Sequence, residues 1–145
     1  MVNFVIFLVL LLIPIPQPYK CVKSNLHIGD SRPFVRIAFI GINGKKIEKI
    51  TLIDTGADVN SLDTKTAEEI GVDKNKCISV TIIGAHRESK RLLCLISHME
   101  IGSLVILSSK IVLNSNKKYP SVGTPFLKKL KLKFDFTNNK LCYKE

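Results

Sequence analysis

One stretch of the chain carries residue types that do chemistry: Leu52-Ile53-Asp54-Thr55-Gly56-Ala57-Asp58. An apolar run delivers a carboxylate, and a hydroxyl and a glycine follow it in a tight turn. Two carboxylates held about 3 Å apart cannot both ionise, so they share one proton. Such a pair activates a water and protonates a leaving amine. Gly56 lets a substrate backbone approach closely because it has no side chain. A bare Asp-Thr-Gly also occurs as an ordinary loop turn, so its meaning rests on the elements around it.

Other chemistries find less support. Cys21, Cys77, Cys94 and Cys142 show no C-x-x-C spacing, which indicates neither a zinc ribbon nor a thioredoxin-type redox site. An even count allows two disulfides in a secreted chain, and four buried thiols fit equally well. His27, His86 and His98 lack the i, i+4 spacing of a helical metal pair. No metal site and no organic cofactor is expected.

The elements that must position Asp54 read as short strands. Residues 34–42 are β-rich, and Asn43-Gly44 is a strong hairpin signal because both residues tolerate positive φ. Residues 47–53 alternate apolar and polar on the return and end at Asp54. Asp63 or Thr64 can cap a short helix over residues 65–70, which Gly71 stops. Residues 80–83 and 92–96 form strands around a polar turn at 84–89. A further hairpin takes residues 99–101 and 104–107 around Gly102-Ser103, and residues 111–113 continue the sheet. Residues 125–130 suit one or two helical turns, with Pro125 in the first turn where it is tolerated. Residues 131–136 and 141–143 form a last hairpin around Asn138-Asn139. Many short strands at close spacing mean an all-β barrel or sandwich.

The chain has 145 residues, 46% of them hydrophobic, which suits one compact domain and excludes a disordered tail. The net charge is +10, from 22 Lys and Arg against 12 Asp and Glu. Lys outnumbers Arg 18 to 4 and the lysines scatter along the chain, so a solvated basic surface is expected rather than a nucleic-acid site. Residues 4–13 are an unbroken apolar run, followed by Pro14, Pro16 and Pro18. A membrane span needs about 20 apolar residues, roughly twice this run. Residues 1–19 therefore read as a signal-peptide-like segment, residues 20–31 as a polar linker and residues 32–145 as the folded domain. The signal reading places the chain in the secretory pathway or outside the cell. Without it the location is cytoplasmic, and any membrane contact comes through an uncleaved N-terminal segment.

From Pro33 to Tyr143 the chain resembles the retropepsins, the aspartic proteases of retroviruses and retrotransposons and their domesticated relatives. Pro33-Phe34-Val35 with Asn43-Gly44-Lys45 is similar to their entry hairpin. Leu52 to Asp58 matches the hydrophobic-hydrophobic-D-[ST]-G-A signature. Val122-Gly123 before Phe126-Leu127 is similar to the pair that precedes the family's helix, and Phe134-Asp135-Phe136 to a closing strand. The resemblance implies an all-β, closed-barrel half-domain with one or two short helices, acting as an aspartic endopeptidase on polypeptides. Only one Asp-Thr-Gly is present, so the second catalytic aspartate comes from a second copy in a C₂ homodimer. By the same resemblance Asp54 is the acid/base, Thr55 hydrogen-bonds across the dimer axis and Gly56 offers its carbonyl. Ala57 and Asp58 line the cleft, Leu52 faces a specificity pocket, and Val122 belongs with the substrate-binding residues. Ile82, Ile83 and Gly84 sit on a flap that closes over substrate.

Some positions depart from the pattern. Thr124 stands after Gly123 where Arg or Asn is frequent, which removes an ion pair to Asp58; Arg32 or Arg36 is the available substitute. The flap tip, Ala85-His86-Arg87-Glu88, is bulky and charged. Ser121 replaces an apolar residue, which makes one pocket more polar. Two other functions stand beside the peptidase: a retropepsin fold that dimerises or binds peptide without catalysis, and a basic nucleic-acid-binding barrel.

Overall fold

The computed structural model describes residues 18–24, 32–84, 87–107, 110–115 and 117–144. The signal-like run, most of the segment read as a linker, and His86 lie outside them. No helix of the described residues is long and apolar enough to cross a membrane.

Strand β1 is Lys20–Lys23, so the segment read as a linker contributes to the fold. Strands β2 (Phe34–Ile40) and β3 (Lys46–Ile53) form the expected hairpin, with Gly44 at φ 80° in its turn. Burial along β3 rises toward its end: the hairpin end is exposed, whereas Thr51, Leu52 and Ile53 are buried. The strand thus enters the molecule as it approaches Asp54. Strand β4 (Ser61–Leu62) precedes helix α1 (Thr64–Glu69), whose N-cap is Asp63; its carboxylate accepts from the Thr66 N–H at 2.8 Å. A 3₁₀ turn, Lys74–Lys76, leads into the hairpin β5 (Ile78–Ile83) and β6 (Glu88–Leu95). Strands β7 (His98–Ile101), β8 (Leu104–Ile106), β9 (Lys110–Leu113) and β10 (Ser121–Val122) follow. Helix α2 (Thr124–Leu127) has Pro125 in its first turn. Strands β11 (Lys131–Asp135) and β12 (Lys140–Lys144) close the chain.

Nine strands pair in the order β5-β6-β9-β4-β10-β3-β2-β7-β8, and a second sheet has the order β1-β12-β11. The all-β fold with two short helices is as expected, built from a nine-stranded mixed sheet beside a small antiparallel one. Tyr143 joins the two: its buried hydroxyl donates to the Ile101 carbonyl at 3.1 Å. The core is aliphatic with three aromatic anchors, Phe39, Phe126 and Tyr143, packed with Ile37, Leu62, Ile70, Met99, Ile111 and Leu141. Strand β2 is buried at all but Arg36, because β3 and β7 flank it and the core covers it.

The four cysteines form two disulfides, Cys21–Cys142 and Cys77–Cys94. The first joins opposite residues of β1 and β12. The second ties the chain just before β5 to β6, one step outside the Ile78↔Leu93 pair.

Candidate active site

Asp54 follows directly on β3, at the place where the sheet changes direction. Strand β10 runs parallel to β3, with Ser121 opposite Leu52 and Val122 opposite Ile53, and it pairs antiparallel with β4 on its other side. The main chain is fixed on both flanks of the aspartate. The Asp54 N–H donates to the Val122 carbonyl and the Leu52 N–H to the Pro120 carbonyl, each at 2.9 Å. The turn closes on the carboxylate itself: the Gly56 N–H donates to Asp54 Oδ1 at 3.1 Å, and the Ala57 N–H donates to the Asp54 carbonyl at 3.2 Å. Asp54 is half-buried, whereas Thr55 and Gly56 are exposed.

A second layer of bonds holds this turn against α2. The Thr124 N–H donates to the Ala57 carbonyl at 2.8 Å, and the Gly123 N–H to Asn60 Oδ1 at 3.0 Å. Asn60 is 2% exposed, so its side chain acts as an internal tether. Gly123 is required for space: a Cβ there would lie 2.3 Å from the Ala57 carbonyl oxygen and 2.6 Å from that of Val59. The backbones approach too closely for any side chain.

The site residues expected from the sequence fall in four places. Leu52, Asp54 and Thr55 line one hollow of about 470 Å³ together with Arg32, Phe134 and Phe136. Ala57 and Asp58 continue from the turn, Ala57 half-buried and Asp58 exposed. Ile82, Ile83 and Gly84 stand apart at the end of β5, where Ile83 is 78% exposed and the Gly84 N–H donates to the Arg87 carbonyl. Val122 is wholly buried in the core. Its carbonyl accepts from the Asp54 N–H.

The departures also find their places. The Ser121 hydroxyl is buried against that of Ser61 at 2.8 Å and so is satisfied inside the β4–β10 pair instead of lending polarity to a pocket. The Thr124 hydroxyl donates to Asp58 Oδ1 at 3.4 Å, a neutral contact where a guanidinium was looked for. Arg36 faces Glu48 at 3.9 Å, and the Arg32 guanidinium lies over the Phe34 ring at 5.9 Å.

Two features were not anticipated. Asn60 gives no signal in the sequence, being one polar residue before a two-residue strand. Phe134 and Phe136 were read only as strand residues, yet their rings stack at 5.7 Å beside the aspartate. The turn after them is fixed by Asp135, whose carboxyl is held below the usual range chiefly by hydrogen bonds from the Asn138 side chain and N–H. Among the described residues no group of three or more His, Cys, Asp or Glu is arranged to hold a metal.

Comparison with known proteins now decides the lineage. A family model described as aspartyl protease matches residues 40–126. The chain belongs to the aspartyl protease family. The fold agrees: a crystal structure of a retropepsin-like aspartic protease from Rickettsia conorii superposes with a TM-score of 0.63 at 16% identity. The match covers 87% of this chain and 91% of that one. A comparison with curated proteins finds no significant match. Within this aspartyl protease the matched stretch begins in β2 and ends in α2, so it contains the Asp54 turn and the layer that braces it.

Proposed function

We propose that the chain is an aspartic endopeptidase of the retropepsin type, working as a homodimer in which each copy supplies Asp54. The observation that supports this most directly is the placement of Asp54. It stands half-buried at the end of a buried strand, on a turn whose N–H groups and neighbouring carbonyls are fixed from both sides. Rigid placement of this kind is what a paired acid/base requires.

With two such turns facing each other across a twofold axis, one Asp54 is protonated and the other ionised. The ionised carboxylate takes a proton from water as the water attacks the scissile carbonyl, and the protonated one donates to the carbonyl oxygen. Collapse of the tetrahedral species returns a proton to the leaving amine. No covalent intermediate forms. Thr55 braces the pair across the axis, the Gly56 carbonyl and the Asp58 carboxylate hold peptide N–H groups, and Leu52 contacts a substrate side chain. Ala57 lines the cleft, and Ile82, Ile83 and Gly84 close over it. A shared proton gives two apparent ionisations and an acidic to near-neutral optimum. The disulfides Cys21–Cys142 and Cys77–Cys94 support the reading of residues 1–19 as a secretory signal, since such bonds persist in oxidising compartments.

The test is cleavage of a mixed peptide library by the full chain at mildly acidic pH, with Asp54→Asn in parallel. Cleavage by the native chain and a loss of at least about a thousandfold in the variant are expected. A folded, dimeric native chain that cuts nothing is instead a non-catalytic peptide-binding or dimerising module.

A further inference from the structure

Four residues beyond Asp54 the chain borders a second hollow, of about 380 Å³. Leu93 of β6, Leu107 and Pro125 give it apolar surface, and Leu107 is 73% exposed. Lys110 and Lys129 bring two cations to it, and Asp58 is its one carboxylate. Lys129 is held in place, since its ammonium donates to the Leu107 carbonyl at 2.7 Å. The backbone of Lys110 is held as well, its carbonyl accepting from the Asn60 side chain at 3.4 Å. Asp58 is engaged by the Thr124 hydroxyl.

Ion pairing within the lining separates this hollow from the larger one of about 510 Å³ beside Arg36 and Lys46. There two of the three cations face partners, Arg36 with Glu48 and Lys46 with Glu100, and Lys23 is the third. Among the described residues, neither Lys110 nor Lys129 has an ion-pair partner. The second hollow therefore combines apolar walls with two cations that form no ion pair among the described residues, beside the single carboxylate of Asp58. It also shares Asp58 with the cleft, where that carboxylate is assigned to the substrate main chain.

We propose that this hollow is a distal subsite of the peptidase, taking an apolar residue and a neighbouring acidic residue of the polypeptide substrate outside the scissile region. This rests on the reading of the Asp54 turn as a peptidase site. A substrate strand held at Asp58 continues into the hollow, buries its apolar side chain against Leu93, Leu107 and Pro125, and meets Lys110 and Lys129 with its carboxylate. Substrates with acidic, apolar flanks are preferred over basic ones, although the cut itself is chosen beside Asp54.

The experiment uses full chain carrying Asp54→Asn, which leaves bound peptide intact, and labelled peptides that share one core. They differ only in a flanking Leu-Glu-Glu, Leu-Gln-Gln or Leu-Lys-Lys extension at either end. The core is the sequence the native chain cuts best from a library or, where it cuts none, the one it retains best. Fluorescence anisotropy is expected to show the acidic extension binding about three- to tenfold tighter than the neutral one. Added salt erases that preference, and Lys110→Glu with Lys129→Glu reverses it. In the native chain the same extension lowers KM by that factor and leaves kcat unchanged, because the contact is equal in ground and transition states. Equal binding of the acidic and neutral peptides, or a preference that survives the double charge reversal, overturns the subsite. A native chain that cuts the core but ignores the extension removes the subsite alone. A chain that cuts nothing removes the peptidase reading, while the anisotropy ranking still decides the hollow.

Discussion

Gly123 and Gly56 lie on the two sides of the same turn and carry opposite constraints. A Cβ at Gly123 would strike two carbonyl oxygens of the catalytic loop, at 2.3 and 2.6 Å. A Cβ at Gly56 would meet only Asp54 Oδ1, at 3.6 Å, an ordinary contact. Gly123 is thus fixed by the fold, whereas the proposed function ties Gly56 to the approach of substrate. Gly123→Ala is expected to destabilise the protein by about 1–3 kcal/mol, as overpacking does, and to displace residues 57–59 with loss of activity. Gly56→Ala is expected to leave the thermal midpoint within a degree or two, about the effect of a neutral surface change, and to raise KM. Thermal unfolding and peptide kinetics on the two variants separate these outcomes. A Gly56→Ala chain that melts as early as Gly123→Ala contradicts the assignment of Gly56 to the substrate.

Elements differ in how firmly the sheet holds them, and β5 is held from one side only. Strand β5 ends the nine-strand order, has only β6 beside it, and shows no fully buried residue. The Cys77–Cys94 disulfide secures it at the end opposite the tip. Cys77→Ser with Cys94→Ser is expected to cost about 2–4 kcal/mol, the usual worth of a disulfide closing a loop of this order. Amide exchange should quicken in β5 well before it does in β2 or β3, and KM should rise as the hairpin becomes less ordered over substrate. Uniform acceleration across all strands would show instead that the bond acts on the whole domain. The same contrast explains what was legible in the sequence. The β2–β3 and β5–β6 hairpins announce themselves by alternation, β-branched residues and turn signals. Strands β4 and β10 are two residues each, too short to carry any period, yet they support Asp54 from beneath. Strand β1 was hidden for another reason: its partner β12 lies at the far end of the chain, and only the Cys21–Cys142 pairing reveals the contact. The Asp54 turn was readable from local residue order, whereas its bracing by Asn60 and Thr124 depends on a contact across more than sixty residues of chain.

At the scale of the molecule the proposed mechanism turns on how many copies of Asp54 one cleavage uses. One chain brings one Asp-Thr-Gly turn, whereas the proposed mechanism uses one protonated and one ionised carboxylate. The ion pair that often stiffens related dimers has no guanidinium after Gly123, and Thr124 spends its hydroxyl on Asp58 within the same chain. In the proposed homodimer association rests on other surface, and Phe136, 63% exposed and lining the same hollow as Thr55, is available to contribute. A weak dimer makes specific activity rise with protein concentration until association is complete. The cleaner measurement replaces half of the native chains by Asp54→Asn at fixed total concentration, after subunits have exchanged under dimeric conditions. Random pairing leaves about one quarter of the dimers with two native turns, so activity should fall to about that fraction. A site complete within one chain would retain about half, whatever the state of association, since each native chain would work independently of its neighbour. The ratio therefore reports how many copies of Asp54 one cleavage uses, without any assumption about the substrate.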